Sequence, residues 1–141
     1  MSSKIITGTL LIASISFFLS WIIFGFLVDD YYAANMMQCP AYAKEKQEIW
    51  AMIIAHLSWG LLFALFLHFA AVYTIWKGTI SGVLFYGLLT LGENMFNIAY
   101  INLMGIKIAL VDVLVNAIYG ASLGAALGFW YSRYKSVNVK T

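Results

Sequence analysis

Four long apolar segments dominate the chain, over residues 5–28, 49–76, 79–104 and 108–131. At about 1.5 Å per helical residue the first segment is about 36 Å long, enough to cross the roughly 30 Å hydrocarbon core of a bilayer. A secretory signal peptide has a shorter apolar core and a small-residue cleavage site. We therefore interpret residues 5–28 as a retained transmembrane helix and predict three more spans after it.

The connections between these segments predict how the helices are arranged. Residues 29–48 form a polar loop, and Pro40 is predicted to open the second helix because proline is tolerated in a first helical turn. Residues 77–78 and 105–107 are predicted to be very short turns, which make neighbouring helices antiparallel. The predicted fold is an all-α membrane protein of one domain, an up-down bundle of four transmembrane helices.

The composition agrees with a protein that lies within a membrane. Of the 141 residues, 63% are hydrophobic and only 10% are charged, and the mean hydropathy is +0.87. Soluble domains carry about 25% charged residues, so this chain could not cover a water-facing surface. The net charge of +2 comes from scattered residues without a basic cluster, which argues against a nucleic-acid partner. The single cysteine, Cys39, excludes an internal disulfide and a cysteine cluster for a metal.

The distribution of lysine and arginine predicts the orientation. Cytoplasmic loops carry an excess of these residues. With both termini inside, five basic residues face the cytoplasm: Lys4, Lys77, Arg133, Lys135 and Lys140. Three then face the outside: Lys44, Lys46 and Lys107. We predict an N-in, C-in topology, with the loop that holds Asp29 and Asp30 outside.

Two of the apolar segments each carry an acid and a carboxamide four residues apart. Glu93 and Asn97, with Asn94 beside them, lie in the third segment, and Asp112 and Asn116 lie in the fourth. Residues four apart share one face of a helix. Because a carboxylate in hydrocarbon costs several kcal/mol, such faces normally turn toward a bundle interior or a water-filled cavity. These five residues, together with His56 of the second segment, are the candidate ligand-binding or ion-binding residues.

Helix depth predicts that polar residues from all four helices lie at one level. Counted from the turn near Gly105, Asn97 lies at nearly the same depth as Asp112, and Glu93 at nearly the same depth as Asn116. His56 of the second helix lies in the same outer half. The full predicted layer is Ser16, Ser20, His56, Ser58, Glu93 to Asn97, Asp112, Asn116 and Tyr119. We expect a polar cavity that opens outward beneath a rim formed by Asp29 and Asp30.

Structural interpretations of the same residues stay open. Polar side chains also hold transmembrane helices together, by hydrogen bonds worth about 0.6–2 kcal/mol, and a protonated Glu93 bonded to Asn116 would be such a contact. His56 could be a ligand, a proton carrier or a hydrogen-bonded core residue. A metal site of His56, Glu93 and Asp112 is only weakly indicated, because it has one histidine and no cysteine. No cofactor is predicted, since a haem held by His56 and His68 would need ligands about 18 Å apart in rise along one helix.

A stripe of small residues marks the last segment. Gly120, Gly124 and Gly128 recur every four residues, a spacing that lets another helix approach closely. The stripe is predicted to pack against another helix of this chain or against a second copy of the protein.

The run Trp-Ile-Ile-Phe-Gly-Phe at residues 21–26 is followed by an aromatic loop and three more apolar segments that end in the glycine stripe. Over most of its length the chain resembles small four-helix bacterial membrane proteins of uncharacterised families, of the domain-of-unknown-function type. The resemblance implies a four-helix bundle in a bacterial inner membrane. It implies no activity, substrate or catalytic residue.

Three functions fit the sequence. The leading hypothesis is a non-enzymatic, multi-pass protein of the cell membrane whose cavity binds, or helps to move, a small polar solute, ion or proton. Glu93 would titrate, with Asp112 and His56 as partners, and so small a bundle would work as a homo-oligomer. The alternative is an accessory or assembly subunit of a larger membrane complex, in which the polar layer locks the bundle. The third is an intramembrane enzyme acting on a lipid-like substrate, for which no acid–base partner or substrate pose can be named.

Overall fold

The computed structural model describes residues 3–37 and 48–137, and the secondary structure of these residues is entirely helical. The prediction of an all-α protein is confirmed for this part of the chain. The helices are α1 (Ser3–Ile22), which continues into a π-helical segment (Ile23–Leu27), α2 (Asp29–Asn35), α3 (Ile49–Phe69), α4 (Ile75–Tyr100) and α5 (Ile106–Val137).

Three helical segments are long and apolar enough to cross a membrane: Ser3–Leu27, Ile49–Phe69 and Ile106–Arg133. The chain is therefore a small helical membrane protein whose spans contact the lipid bilayer. α4, with 26 residues, has the length of a span but is less apolar than these three. Its second half carries Glu93, Asn94 and Asn97, which lower its hydropathy.

The turn predicted at residues 77–78 lies earlier in the chain. α3 ends at Phe69 rather than at residue 76, and Ala71 adopts a left-handed conformation with φ 52°. Thr74 then caps α4, and its hydroxyl accepts a hydrogen bond from the backbone N–H of Lys77 at 3.3 Å. Threonine is a favoured N-cap residue, so Lys77 and its neighbour Gly78 are helical.

The remaining boundaries differ by a few residues. α4 ends at Tyr100 and α5 begins at Ile106, so the second turn spans residues 101–105 and Lys107 is helical. α5 also extends to Val137, beyond the predicted end at residue 131.

The predicted outer loop contains a helix of its own. α2 begins with Asp29 and Asp30, and acidic residues are favourable in a first helical turn because they face its positive end. The backbone N–H of Met37, just after α2, donates to the carbonyl of Leu103 at 2.9 Å, which ties this segment to the α4–α5 turn. We call this the α2 end of the bundle. The predicted helix start at Pro40, together with Cys39, Lys44 and Lys46, lies outside the described residues.

The four long helices pack around one core. α1 packs against α3 and α5, and α4 packs against α5. α3 and α4 meet through aromatic side chains, with Phe63 and Phe66 of α3 at 5.1 and 4.9 Å from the ring of Phe85. The most deeply buried side chains of the core are Ile12, Phe63, Leu67, Leu123, Leu127 and Tyr131.

The glycine stripe of α5 seats α4. A Cβ atom added to Gly82 would collide with the carbonyl oxygen of Gly120, and one added to Gly78 would collide with that of Gly124. A Cβ atom added to Gly128 would likewise collide with the carbonyl oxygen of Thr74. The two backbones therefore touch, which only glycine permits.

Candidate functional site

A cavity of about 280 Å³ lies between the four long helices. Its lining comes from α1 and its π-helical extension, α3, α4 and α5, and comprises Ser20, Phe24, His56, Trp59, Tyr86, Leu89, Thr90, Glu93, Asn116 and Tyr119. The cavity lies toward the α2 end, because the ring of Phe24 stacks on that of Tyr32 in α2 at 6.5 Å. We call this the central cavity.

One face of α4 supplies four of these residues. Tyr86, Leu89, Thr90 and Glu93 follow the three- and four-residue spacing that places side chains on one side of a helix. Glu93 is the one carboxylate among the described lining residues. It is exposed, and within the described part of the chain it forms no hydrogen bond or ion pair. The site therefore contains an acid whose hydrogen-bonding capacity is unused.

His56 forms one wall of the central cavity and bridges α3 to α1. Its Nδ1 lies 2.8 Å from the hydroxyl of Ser16, and its Nε2 lies 3.4 Å from that of Ser20. The Ser16 hydroxyl also lies 3.0 Å from the carbonyl of Ala13, and the Ser20 hydroxyl lies 2.9 Å from the carbonyl of Phe17. A neutral imidazole has one N–H donor, whereas a protonated ring donates from both nitrogens. A neutral His56 can therefore donate to one serine hydroxyl and accept from the other, which bridges the two helices without a charge.

Asp112 is the centre of a second polar network, beside the cavity. Its Oδ1 accepts hydrogen bonds from the Tyr32 hydroxyl at 2.7 Å and from the Asn116 amide at 3.0 Å, and its Oδ2 accepts one from the Asn94 amide at 2.8 Å. Asn94 is buried and also donates to the carbonyl of Ala109 at 3.3 Å. Asp112 thus joins α2, α4 and α5 and satisfies donors from all three.

The pKa of Tyr32 reflects this contact. Burial of the phenol, and next the hydrogen bond to the Asp112 carboxylate, raise the pKa of Tyr32 well above its ordinary value. The neutral phenol that donates to Asp112 is the form that the fold stabilises.

The predicted site residues divide between these two arrangements. Glu93, His56 and Asn116 line the central cavity, whereas Asn94 and Asp112 belong to the network beside it. Asn116 joins the two, because it lines the cavity and donates to Asp112. The hydrogen bond considered between Glu93 and Asn116 is not formed.

Two other expectations differ from the structure. Asn97 is half-buried, but in the described chain its side chain makes no hydrogen bond, and it does not line the central cavity. Ser58 is exposed and bonds back to the carbonyl of Ile54 at 2.8 Å. Neither side chain lines the central cavity.

The described residues contain no group of three or more histidine, cysteine, aspartate or glutamate side chains that could hold a metal ion. His56, Glu93 and Asp112 therefore do not form the metal site that their spacing had allowed. Asp112 already accepts three hydrogen bonds, and the ring of His56 contacts two serines.

A groove of about 410 Å³ leads from the α2 end toward the central cavity. Its lining includes Asp29, one of the two predicted rim residues, together with Met52 of α3. Ser20 and Phe24 line both the groove and the central cavity, so the two spaces adjoin. Asp30 is exposed and is not among the lining residues.

Sequence reasoning missed the aromatic half of the site. Phe24, Trp59 and Tyr86 line the central cavity beside the predicted polar residues. Tyr86 lies seven residues, about two helical turns, before Glu93, and this spacing could have placed it on the same face of α4. No sequence signal pointed to Tyr32 as the partner of Asp112, because that contact depends on how α2 folds back over the bundle.

The chain matches no protein-family model, no curated protein and no solved structure. The resemblance to small four-helix bacterial membrane proteins thus stays a prediction from the sequence, and the functional argument rests on the geometry of the central cavity.

Proposed function

We propose that this protein is a multi-pass membrane protein whose central cavity binds, or helps to move, a small polar solute, ion or proton, with Glu93 as the charged group. The observation that carries the proposal is the unpartnered carboxylate of Glu93 in a cavity shared by four helices. A carboxylate at membrane depth is costly unless it faces water, a ligand or a partner charge.

The proposal gives different roles to the two acids. Asp112 holds α2, α4 and α5 together, because both of its oxygens already accept hydrogen bonds. Glu93 keeps both of its oxygens for a bound species. His56 lines the same cavity and is the candidate proton partner.

The topology that accompanies this function has four spans with both termini in the cytoplasm of a bacterial cell. α4 would be the fourth span: at 26 residues it is about 39 Å long, and its glycines lie directly against α5. Asp29 and the groove would then face the outside, which would make the central cavity open outward.

A homo-oligomer is part of the proposal. Trp59, which is 46% exposed, and Glu93, which is also exposed, lie on α3 and α4, the two long helices that meet through aromatic side chains. A second copy of the protein against this side would cover the carboxylate and complete the enclosure that four helices leave open.

The test is the tryptophan fluorescence of the purified protein as a function of pH, since Trp59 lines the same cavity as Glu93. We expect a pH-dependent change in this fluorescence that disappears in Glu93→Gln. Asp30→Asn is the matched control, because Asp30 is an exposed acid away from the cavity, and this variant should titrate like the wild type. An unchanged response in Glu93→Gln, together with one partner protein that co-purifies in fixed stoichiometry, would replace the proposal by the accessory-subunit alternative.

A further inference from the structure

We infer that the central cavity binds a small organic ammonium ion, whose charge pairs with Glu93 and whose carbon groups contact the aromatic side chains around it. This inference rests on the proposed function and names the class of solute.

The charge of the cavity selects a cation. Among the described lining residues Glu93 is the one acid, and no lysine or arginine accompanies it. The other titratable groups that face it are His56 from α3, Tyr86 from α4 and Tyr119 from α5, while α1 contributes Ser20 and Phe24. With His56 neutral, the site carries a net negative charge.

The lining selects an organic cation over a metal ion. Four of the residues around Glu93 are aromatic: Phe24, Trp59, Tyr86 and Tyr119. Tyr119 lies at the centre of this group, 5.9 Å from the ring of Phe24 and 5.4 Å from that of Tyr86, each in an edge-to-face arrangement. Aromatic faces attract cations within about 6 Å, and cages of such rings recognise quaternary ammonium groups.

The supply of oxygen ligands points the same way. A dehydrated metal cation needs about six or more oxygen ligands. In the central cavity the side-chain oxygens belong to Glu93, Thr90, Ser20, Asn116 and the two tyrosines. Some of this capacity is already used: the Tyr119 hydroxyl donates to the carbonyl of Ser16, and Ser20 bonds to that of Phe17. Alkylammonium ions are weakly hydrated and need fewer polar contacts.

Size and access fit a small member of the class. The volume of about 280 Å³ is slightly below the roughly 300–1,000 Å³ that drug-sized ligand sites span, which suits a smaller ligand. The adjoining groove carries Asp29, a second acid along the route toward Glu93. The site therefore suits ions of the size of tetramethylammonium or choline.

The test is isothermal titration of the full-length protein in detergent with choline and with its uncharged isostere 3,3-dimethyl-1-butanol. We expect saturable binding of choline that is at least about tenfold tighter than binding of the isostere, because only choline can pair with Glu93. Glu93→Gln should remove this difference. Trp59→Phe, which keeps a ring, should weaken choline binding less than Trp59→Leu, and the exposed position of Trp59 makes both variants compatible with folding.

Three results would overturn the inference, and they separate it from the proposed function. Equal binding of choline and the isostere would mean that the cavity recognises apolar shape alone. Binding of sodium ions or protons that depends on Glu93, without ammonium binding, would remove the inference and leave the proposed function standing. If none of these probes gives a response that depends on Glu93, both the inference and the proposed function are wrong.

Discussion

Asp112 and Glu93 are acids on the adjacent helices α5 and α4, and their surroundings give them opposite properties. Three donors converge on Asp112, whereas Glu93 has no partner among the described residues. A fully bonded carboxylate stabilises the fold, and an unbonded one in a cavity is available to a solute. The two acids look equivalent in the sequence, and only the positions of Tyr32 and Asn94 distinguish them.

Replacing Asp112 by asparagine should destabilise the protein by about 1–3 kcal/mol. The new amide nitrogen is itself a donor, and it would face one of the donors whose hydrogen bonds the carboxylate now accepts. Tyr32→Phe, which removes one of the three bonds, should cost less, about 1 kcal/mol. Unfolding in mixed detergent measures both values. Equal stability of Asp112→Asn and the wild type would show that this network does not support the fold.

The contact of Tyr32 with Asp112 also predicts how stability changes in alkali. The pKa of Tyr32 is raised in the folded protein, so above about pH 10 an unfolded chain loses this proton while the folded chain keeps it. The contribution of Tyr32 to the free energy of unfolding is therefore fully present below about pH 10 and is lost as the pH rises further. Between about pH 9 and pH 11 the wild type should lose more stability than Tyr32→Phe, and identical losses in unfolding titrations would contradict this account.

At the scale of helices, periodicity and hydropathy predicted the elements but not all of their ends. Residues 49–69 were correctly assigned to a helix, whereas the turn after it depends on the Thr74 cap, a local hydrogen bond that the apolar run through residue 76 conceals. α2 was missed because seven residues give too short a pattern. The polar layer was predicted from depth alone, which cannot fix rotation about the helix axis, and Asn97 and Ser58 differ from expectation for that reason.

The α4–α5 contact makes a prediction about two glycines of one helix. Gly82→Ala should destabilise the bundle by about 1–3 kcal/mol, because the new methyl group would collide with the backbone of α5 at Gly120. Gly92 of the same helix faces open space, so Gly92→Ala should be neutral or stabilise the protein by up to about 1 kcal/mol. Thermal unfolding in detergent compares the two. Similar effects of both substitutions would mean that close backbone approach is not what holds α4 in place.

At the scale of the whole molecule, the side of the membrane reached by each turn tests the number of spans and their orientation. Cys39, the only cysteine, should react with a membrane-impermeant maleimide on intact cells. In a Cys39→Ser background, Asn102→Cys should also react from outside, and Thr74→Cys should react only after permeabilisation. Labelling of residues 74 and 102 from the same side would show that α4 does not cross the membrane.

The proposed function requires that the cavity around Glu93 holds a small solute within an assembly of identical chains. Native mass spectrometry of the wild type and Glu93→Gln, released gently from their own membrane, tests it most directly because it reports partners, copy number and bound small molecules together. We expect a homo-oligomer that carries a discrete non-lipid mass in the wild type and loses that mass, without dissociating, in Glu93→Gln. A complex with a different protein in fixed stoichiometry, with no such mass in either sample, would contradict it.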